Sequence, residues 1–265
     1  MSVRIEKSGS VWTVIHSRPE ARNAMDPKSA DDLVAAFLKF DRDPAANVAV
    51  FWGEGGAFCA GWDLKAVSSL DQSNPVGNID FPKNGRDTPR GPLGPSRLEL
   101  TKPVIAAVEG PAVAGGMELA MWCDVRVMAE SAYFGVYCRR WGVPLIDGGT
   151  VRLPRLVGMG KAMEIIMTGR KVPAEESYRI GLCEKVVGHG KAREAAEAMA
   201  QEIARFPQEC MRSDRASAYR AWGKSVREGL ESEWATSAHI VKAEGIAGAS
   251  RFAQGKGRHG DFGDI

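Results

Sequence analysis

Short apolar runs at residues 11–15, 47–52, 103–108 and 125–128 recur along the first half of the chain, with helical or turn-rich stretches between them. Runs of this kind suit buried strands. The first run alternates, with Val11, Thr13 and Ile15 on one side and Trp12 and Val14 on the other, and a short strand at residues 3–5 precedes it. Asp26-Pro27 reads as an N-cap followed by proline at the first helical position. The helix it opens runs to about Asp41, with Leu33, Phe37 and Phe40 on one face. Residues 71–95 are crowded with Gly, Pro, Asn and Asp and read as a long exposed loop. Regular structure resumes at residues 97–100, and GPAVAGGMELAMWCD then passes from loop to helix. The cycle of strand, strand and helix predicts an α/β (α+β) fold of stacked ββα turns and argues against a doubly wound nucleotide fold. From residue 191 onward the pattern is helical, over 191–205, 207–221 and 224–244. The expected organisation is therefore a core domain, 1–190, and a C-terminal helical region, 191–265, whose amphipathic helices need a surface to cover.

Charge narrows the function classes. A formal net charge of +2 gives no bulk attraction for nucleic acid, so no nucleic-acid partner is expected. No apolar run approaches the roughly 18 residues needed to span a bilayer, so no membrane association is expected. MSVRIEKSGSVWTVIHSRPE shows no apolar segment with a cleavage site, so no secretory signal is read there. The five cysteines, Cys59, Cys123, Cys138, Cys183 and Cys210, are widely spaced without a CxxC pair. They predict neither a metal site nor a disulfide framework and fit a reducing cytoplasm, each serving as a small buried hydrophobe.

Two glycine-containing loops carry the chemistry: Phe58-Cys-Ala-Gly-Trp-Asp-Leu-Lys65 and Gly110-Pro-Ala-Val-Ala-Gly-Gly-Met-Glu-Leu119. The paired glycines at 115 and 116 allow close backbone approach and open a helix whose first N–H groups have no partner within it. Such a helix start stabilises negative charge developing on an oxygen. Glu118, in the first turn, adds an acid/base group beside those donors. Taken alone, the same pattern also describes an ordinary helix start, where an acidic residue is favoured by the macrodipole.

The order of the motifs decides between these readings. RPEARNAMD, FCAGWDLK, KPVIAAVEGPAVAGGMELAMWCD, FGVYCRRWGVP, GGTVRLPRLVG and TGRKVPAEESYRIGLCEKVV together closely resemble the crotonase (enoyl-CoA hydratase/isomerase) superfamily, from Arg18 to Val187, with a weaker echo at the C-terminus. The resemblance implies a spiral of ββα units and a reaction on an acyl-CoA thioester through an oxyanion-stabilised enolate. It implies no tightly bound cofactor, coenzyme A entering as part of the substrate. It also implies a homotrimer or dimer of trimers. Carried onto this chain, the backbone N–H groups of Trp62 and Gly115 would form the oxyanion hole. Ala60, Asp63, Leu64 and Lys65, with Ala21, Arg22 and Ala24 from the early loop, match coenzyme A contacts. Lys256 matches a basic tail residue that reaches coenzyme A. The Trp62 indole is expected to shape the acyl pocket, with Trp141 further along it.

In the resembling hydratases two glutamates flank one water. Glu118 matches the first; twenty residues downstream, where the second belongs, stands Cys138. A thiol is a poor proton donor for hydration, and the four histidines lie far from Cys138 in sequence, so it is expected to line the pocket. Asp147 lies where several relatives carry an acid/base residue, and it also stands before Gly148-Gly149, where a plain loop role is open. With Glu118, Asp147 is the expected catalytic pair. Arg139 and Arg140 are candidates to pair with either carboxylate or to sit at an interface. Hydration is the leading reaction. The alternatives are double-bond isomerisation, dehydration or acyl-CoA hydrolysis, or a weakly catalytic coenzyme A- or RNA-binding relative. The helix at 191–205 alternates basic residues with glutamate, so its basic stripe for RNA is weak.

Overall fold

The computed structural model describes residues 2–69, 79–81, 90–257 and 259. The chain divides into two compact units, 1–200 and 201–265. In the first, strands β1 (Val3–Ser8), β2 (Val11–His16), β3 (Val48–Gly53), β4 (Val104–Val108), β6 (Val125–Ala129) and β9 (Lys185–Val187) form one sheet in the order β1-β2-β3-β4-β6-β9. Only β1 and β2 pair antiparallel; the other neighbours are parallel. A second sheet joins β5 (Pro111–Val113), β7 (Tyr133–Gly135) and β8 (Lys171–Pro173).

The expected ββα turns are visible in this pairing. β4 and β5 are consecutive strands in different sheets and lead into helix α3 (Gly115–Trp122). β6 and β7 repeat the split between sheets one turn later. A parallel bridge between Cys59 and Ala112 adds the segment after β3 to the second sheet. Every residue of β2 is buried, so its alternation sorts side chains between two covered faces instead of core and solvent.

Helix α1 (Pro27–Arg42) starts as its sequence dictates: the Asp26 carboxylate accepts from the Ser29 N–H at 2.7 Å, with Pro27 at the first position. Leu33, Phe37 and Phe40 are fully buried. Phe37 meets Phe51 and Trp122 edge-on, with ring centroids 5.4 and 4.9 Å apart, which ties α1 to the sheet and to α3. Of the long loop expected over 71–95, residues 70–78 and 82–89 lie outside the described residues. The regular structure expected at 97–100 is a single 3-10 turn, Pro95–Arg97.

The first unit ends about ten residues later than the helical pattern places it, inside helix α7 (Ala192–Arg205). Ala192, Ala196 and Ala200 form a fully buried stripe, and the Thr13 hydroxyl donates to Glu197 at 2.7 Å. Small side chains at helical spacing let this helix pack closely on the first unit. The second unit holds helices α8 (Gln208–Arg220) and α9 (Val226–Ser237), a π-helical turn at Val241–Gly245, and helix α10 (Ile246–Ala253). No helix among the described residues is long and apolar enough to cross a membrane.

Candidate active site

Two loops converge on the start of α3. Gly61, in the left-handed region at φ +92°, has no side chain to separate them; a Cβ there would stand 3.1 Å from the Gly115 nitrogen. Ala114 has φ +53° and ψ −127°, a conformation that L residues rarely adopt and that stores on the order of 1–3 kcal/mol of strain. That turn sends the chain from β5 into α3, with Gly115 as its first residue. On the facing loop, Met25 N–H donates to Gly61 at 2.8 Å and Asp63 N–H donates to Met25 at 2.9 Å. This parallel bridge uses the residues either side of Trp62, so the Trp62 N–H points away from it. Neither the Trp62 nor the Gly115 N–H has an acceptor among the described residues.

Both loops open onto one cleft, lined by Ala60, Trp62, Leu64, Gly115, Glu118, Cys138, Trp141 and Asp147 among the expected residues. Leu93, Ala114, Tyr137, Val143, Pro144 and Ile146 complete its walls. It is a mainly apolar cleft with two carboxylates and two unpaired N–H groups, the usual composition of a small-molecule site.

Glu118 and Asp147 are 2% and 1% exposed, which is expensive for carboxylates without compensation. Glu118 Oε1 accepts two backbone N–H groups, from Asp147 at 3.0 Å and Gly149 at 2.8 Å. Position 149 must be small for this, because a Cβ there would stand 2.9 Å from Oε1. Burial, and then the charge of Asp147, still push the Glu118 carboxyl up to about 8, so it holds its proton at neutral pH. Asp147 Oδ1 accepts from the Leu93 N–H at 3.0 Å and from the Ser96 hydroxyl. Burial raises Asp147 too, but these donors and the cations Arg97 and Arg152 oppose the rise.

Cys138 is 7% exposed in the turn Tyr137–Trp141, its thiol pushed up by burial and by the charge of Glu118. Arg139 and Arg140 follow it but pair with neither carboxylate. Arg139 donates to the Ile166 carbonyl at 3.3 Å, and the Arg140 guanidinium lies 4.1 Å from the Tyr137 ring centre. The cation that braces the site is Arg152, which donates to the carbonyls of Asp147 at 2.9 Å and Ser96 at 2.8 Å. Ser96, Leu93 and Arg152 were not legible as site residues, since their partners lie across the fold; only the GGTVRLP motif that holds Arg152 pointed near them.

The early loop meets the same region. Arg22 and Asn23 are left-handed, at φ +51° and +56°. Asn23 is fully buried, donating to Glu54 and Ala57 carbonyls at 2.8 and 2.7 Å and accepting from the Arg18 N–H at 2.7 Å. Ala60 N–H donates to Arg22 at 3.1 Å, and Arg18 reaches the Ala24 carbonyl at 2.5 Å and Asp63 at 3.2 Å. Ala21, Arg22 and Ala24 are thus held beside Ala60, Asp63 and Leu64. Lys65 is exposed on the short helix α2 (Leu64–Val67), which Asp63 caps at 3.1 Å. Lys256 is exposed in the second unit, after α10.

Residues 6–254 match the family described as enoyl-CoA hydratase/isomerase. An enoyl-CoA hydratase of Mycobacterium tuberculosis is 38% identical over 206 residues, covering 75% of this chain and 73% of that protein. A carnitinyl-CoA dehydratase of Salmonella typhi is 37% identical over 204 residues, covering 76% and 74%. The crystal structure of an enoyl-CoA hydratase from Mycobacterium tuberculosis H37Rv superposes with a TM-score of 0.86 at 31% identity, over 96% of both chains. The chain belongs to the enoyl-CoA hydratase/isomerase (crotonase) family.

Proposed function

We propose that this protein adds water to, or removes it from, an acyl-CoA thioester, with Glu118 and Asp147 as the acid/base pair. The observation that carries this reading is the placing of two buried carboxylates and two unpaired backbone N–H groups on one cleft. The Trp62 and Gly115 N–H groups hold the thioester oxygen and take up charge as an enolate forms. Asp147 draws a proton from the water whose oxygen bonds to Cβ; Glu118 gives its proton to Cα. Water is thereby added across the double bond, Asp147 ends protonated and Glu118 ionised. Return of one proton from Asp147 to Glu118 resets the pair. Dehydration of a 3-hydroxyacyl thioester runs the same steps in reverse, and the likeness to a carnitinyl-CoA dehydratase supports that direction. Cys138 leaves the second glutamate's place to a neutral wall, and Asp147 supplies the missing carboxylate.

Ala21, Arg22, Ala24, Ala60, Asp63, Leu64 and Lys65 are the proposed coenzyme A contacts, and Lys256 is proposed to reach the coenzyme A of a neighbouring subunit. Four buried free thiols support a reducing compartment such as the cytoplasm. Exposed apolar stripes support assembly into a trimer or a dimer of trimers. Helix α5 (Met159–Thr168) presents Met159, Met163 and Met167, and α9 presents Val226, Leu230 and Trp234. Light scattering tests the assembly: a monomer at micromolar concentration contradicts it. Crotonyl-CoA tests the chemistry. Its conjugated absorbance should fall with enzyme and stay in Glu118→Gln; an unchanged wild-type trace, with 3-hydroxybutyryl-CoA also untouched, overturns the reading.

A further inference from the structure

The two carboxylates are equally buried but not equally served. Among the described residues, Glu118 accepts only backbone N–H groups, on one oxygen. Asp147 accepts a backbone N–H and a hydroxyl on Oδ1, and its main-chain carbonyl is held by a guanidinium. The hydroxyl comes from Ser96, 1% exposed, in the turn Pro95–Arg97. Arg152, on helix α4 (Gly149–Val157), spans the gap, one nitrogen on the Asp147 carbonyl and the other on the Ser96 carbonyl. Position 91 belongs to the same arrangement, since a methyl on Gly91 would overlap the Ser96 hydroxyl and Asp147 Oδ1.

Building on the acid/base reading above, we propose that Ser96 and Arg152 are positioning residues that fix Asp147 as the proton acceptor of the pair and leave Glu118 as the donor. The groups facing Asp147 among the described residues are consistent in sign. Arg97 and Arg152 are cations, from the 95–97 turn and from α4. Glu118, from α3, and Cys59, from the loop after β3, are held protonated first by burial and further by the Asp147 charge, Glu118 up to about 8 and Cys59 to about 12. Cys138 faces Glu118 and is likewise kept as a thiol. One anion, two facing cations and three proton-holding neighbours make a single ionised site, and the Ser96 hydroxyl, which can donate to only one acceptor, is spent on it. With Oδ1 saturated, Oδ2 is the oxygen left to accept a proton from water.

The test is the pH profile of kcat/KM for crotonyl-CoA hydration in the full chain. A hydroxyl that donates to the ionised carboxylate favours that form, so its loss raises the pH at which Asp147 becomes a base. Ser96→Ala should move the acidic limb up by about one pH unit, so that kcat/KM falls by up to about tenfold on that limb and is unchanged on the plateau, with KM within about twofold. Ser96→Thr should return the limb toward wild type. Arg152→Gln should move both limbs up, because Arg152 also lowers Glu118. An acidic limb unmoved in Ser96→Ala, with Asp147→Asn inactive, overturns the proposal while the acid/base reading stands. Full turnover by Asp147→Asn overturns both. If Ser96→Ala fails to fold by circular dichroism, unmoved limbs in Arg152→Gln overturn the proposal instead.

Discussion

The two walls of the cleft are built by opposite means. The wall at Ala60–Leu64 and Val113–Gly115 works through main chain: two N–H groups are bared by a strained alanine, a parallel bridge and closely approaching glycines. The wall at Leu93–Arg97 and Cys138–Arg152 works through side chains, each held by partners more than fifty residues away or on another element. Backbone donors cost no side-chain entropy and cannot titrate, so the first wall supplies a fixed field. Buried carboxylates respond to every neighbour, so the second wall can be tuned by the groups around it. On the proposed mechanism, the first wall handles the thioester and the second sets the proton transfers.

Breaking the second wall should cost most. Asp147→Asn and Glu118→Gln should each lower kcat for crotonyl-CoA hydration by about 10³-fold, with thioester binding kept, the range expected for a general acid or base. Calorimetric titration with a saturated acyl-CoA checks the binding. Next comes the backbone of the second wall against Glu118. Gly149→Ala brings a methyl against Glu118 Oε1 and should lower kcat by about 10²-fold by moving that carboxyl, with KM changing far less.

Stability gives the same comparison without substrate. Glu118 has its folded pKa raised from the usual carboxylate value to about 8. The folded chain therefore holds a proton that the unfolded chain releases above about pH 4.3, so this group contributes least unfavourably below that pH. Its cost grows as pH rises toward 8. Glu118→Gln keeps an oxygen for the two N–H groups and removes the charge. Its thermal midpoint should match wild type near pH 4.5 and exceed it by several degrees at pH 8.5, which differential scanning calorimetry reads. Cys138→Ser should change kcat less than about threefold if that side chain only lines the wall, since a neutral group of similar size replaces another. The smallest effect belongs to the first wall: Ala114→Gly relieves the left-handed strain and should stabilise by about 1 kcal/mol, measured by urea unfolding.

The contrast between the walls also decides what could be read in advance. Trp62, Gly115 and Glu118 sit in contiguous motifs, so each could be picked out locally, although the partners that surround them come from across the fold. Helix α1 was legible for the same local reason: its cap, its proline and its apolar face lie within sixteen residues. Asp147 could be placed by the family resemblance of its stretch, but its environment could not, because Ser96 and Leu93 approach it across more than fifty residues. Adjacency misled for Arg139 and Arg140. In the tight turn Tyr137–Trp141 their side chains leave the cleft, one for Ile166 and one for the face of Tyr137. The end of the first unit shifted from 190 to 200 because the alanine stripe of α7 is buried, a fact that periodicity shows but cannot assign to a surface.

On the proposed mechanism, one thioester oxygen is shared by the two bared N–H groups. A crystal structure of Glu118→Gln with crotonyl-CoA bound tests it most directly. The thioester oxygen should stand about 2.7–3.1 Å from both the Trp62 and Gly115 nitrogens, with Asp147 Oδ2 facing the water beside Cβ. A thioester oxygen bound elsewhere, with those two N–H groups solvated, would contradict it.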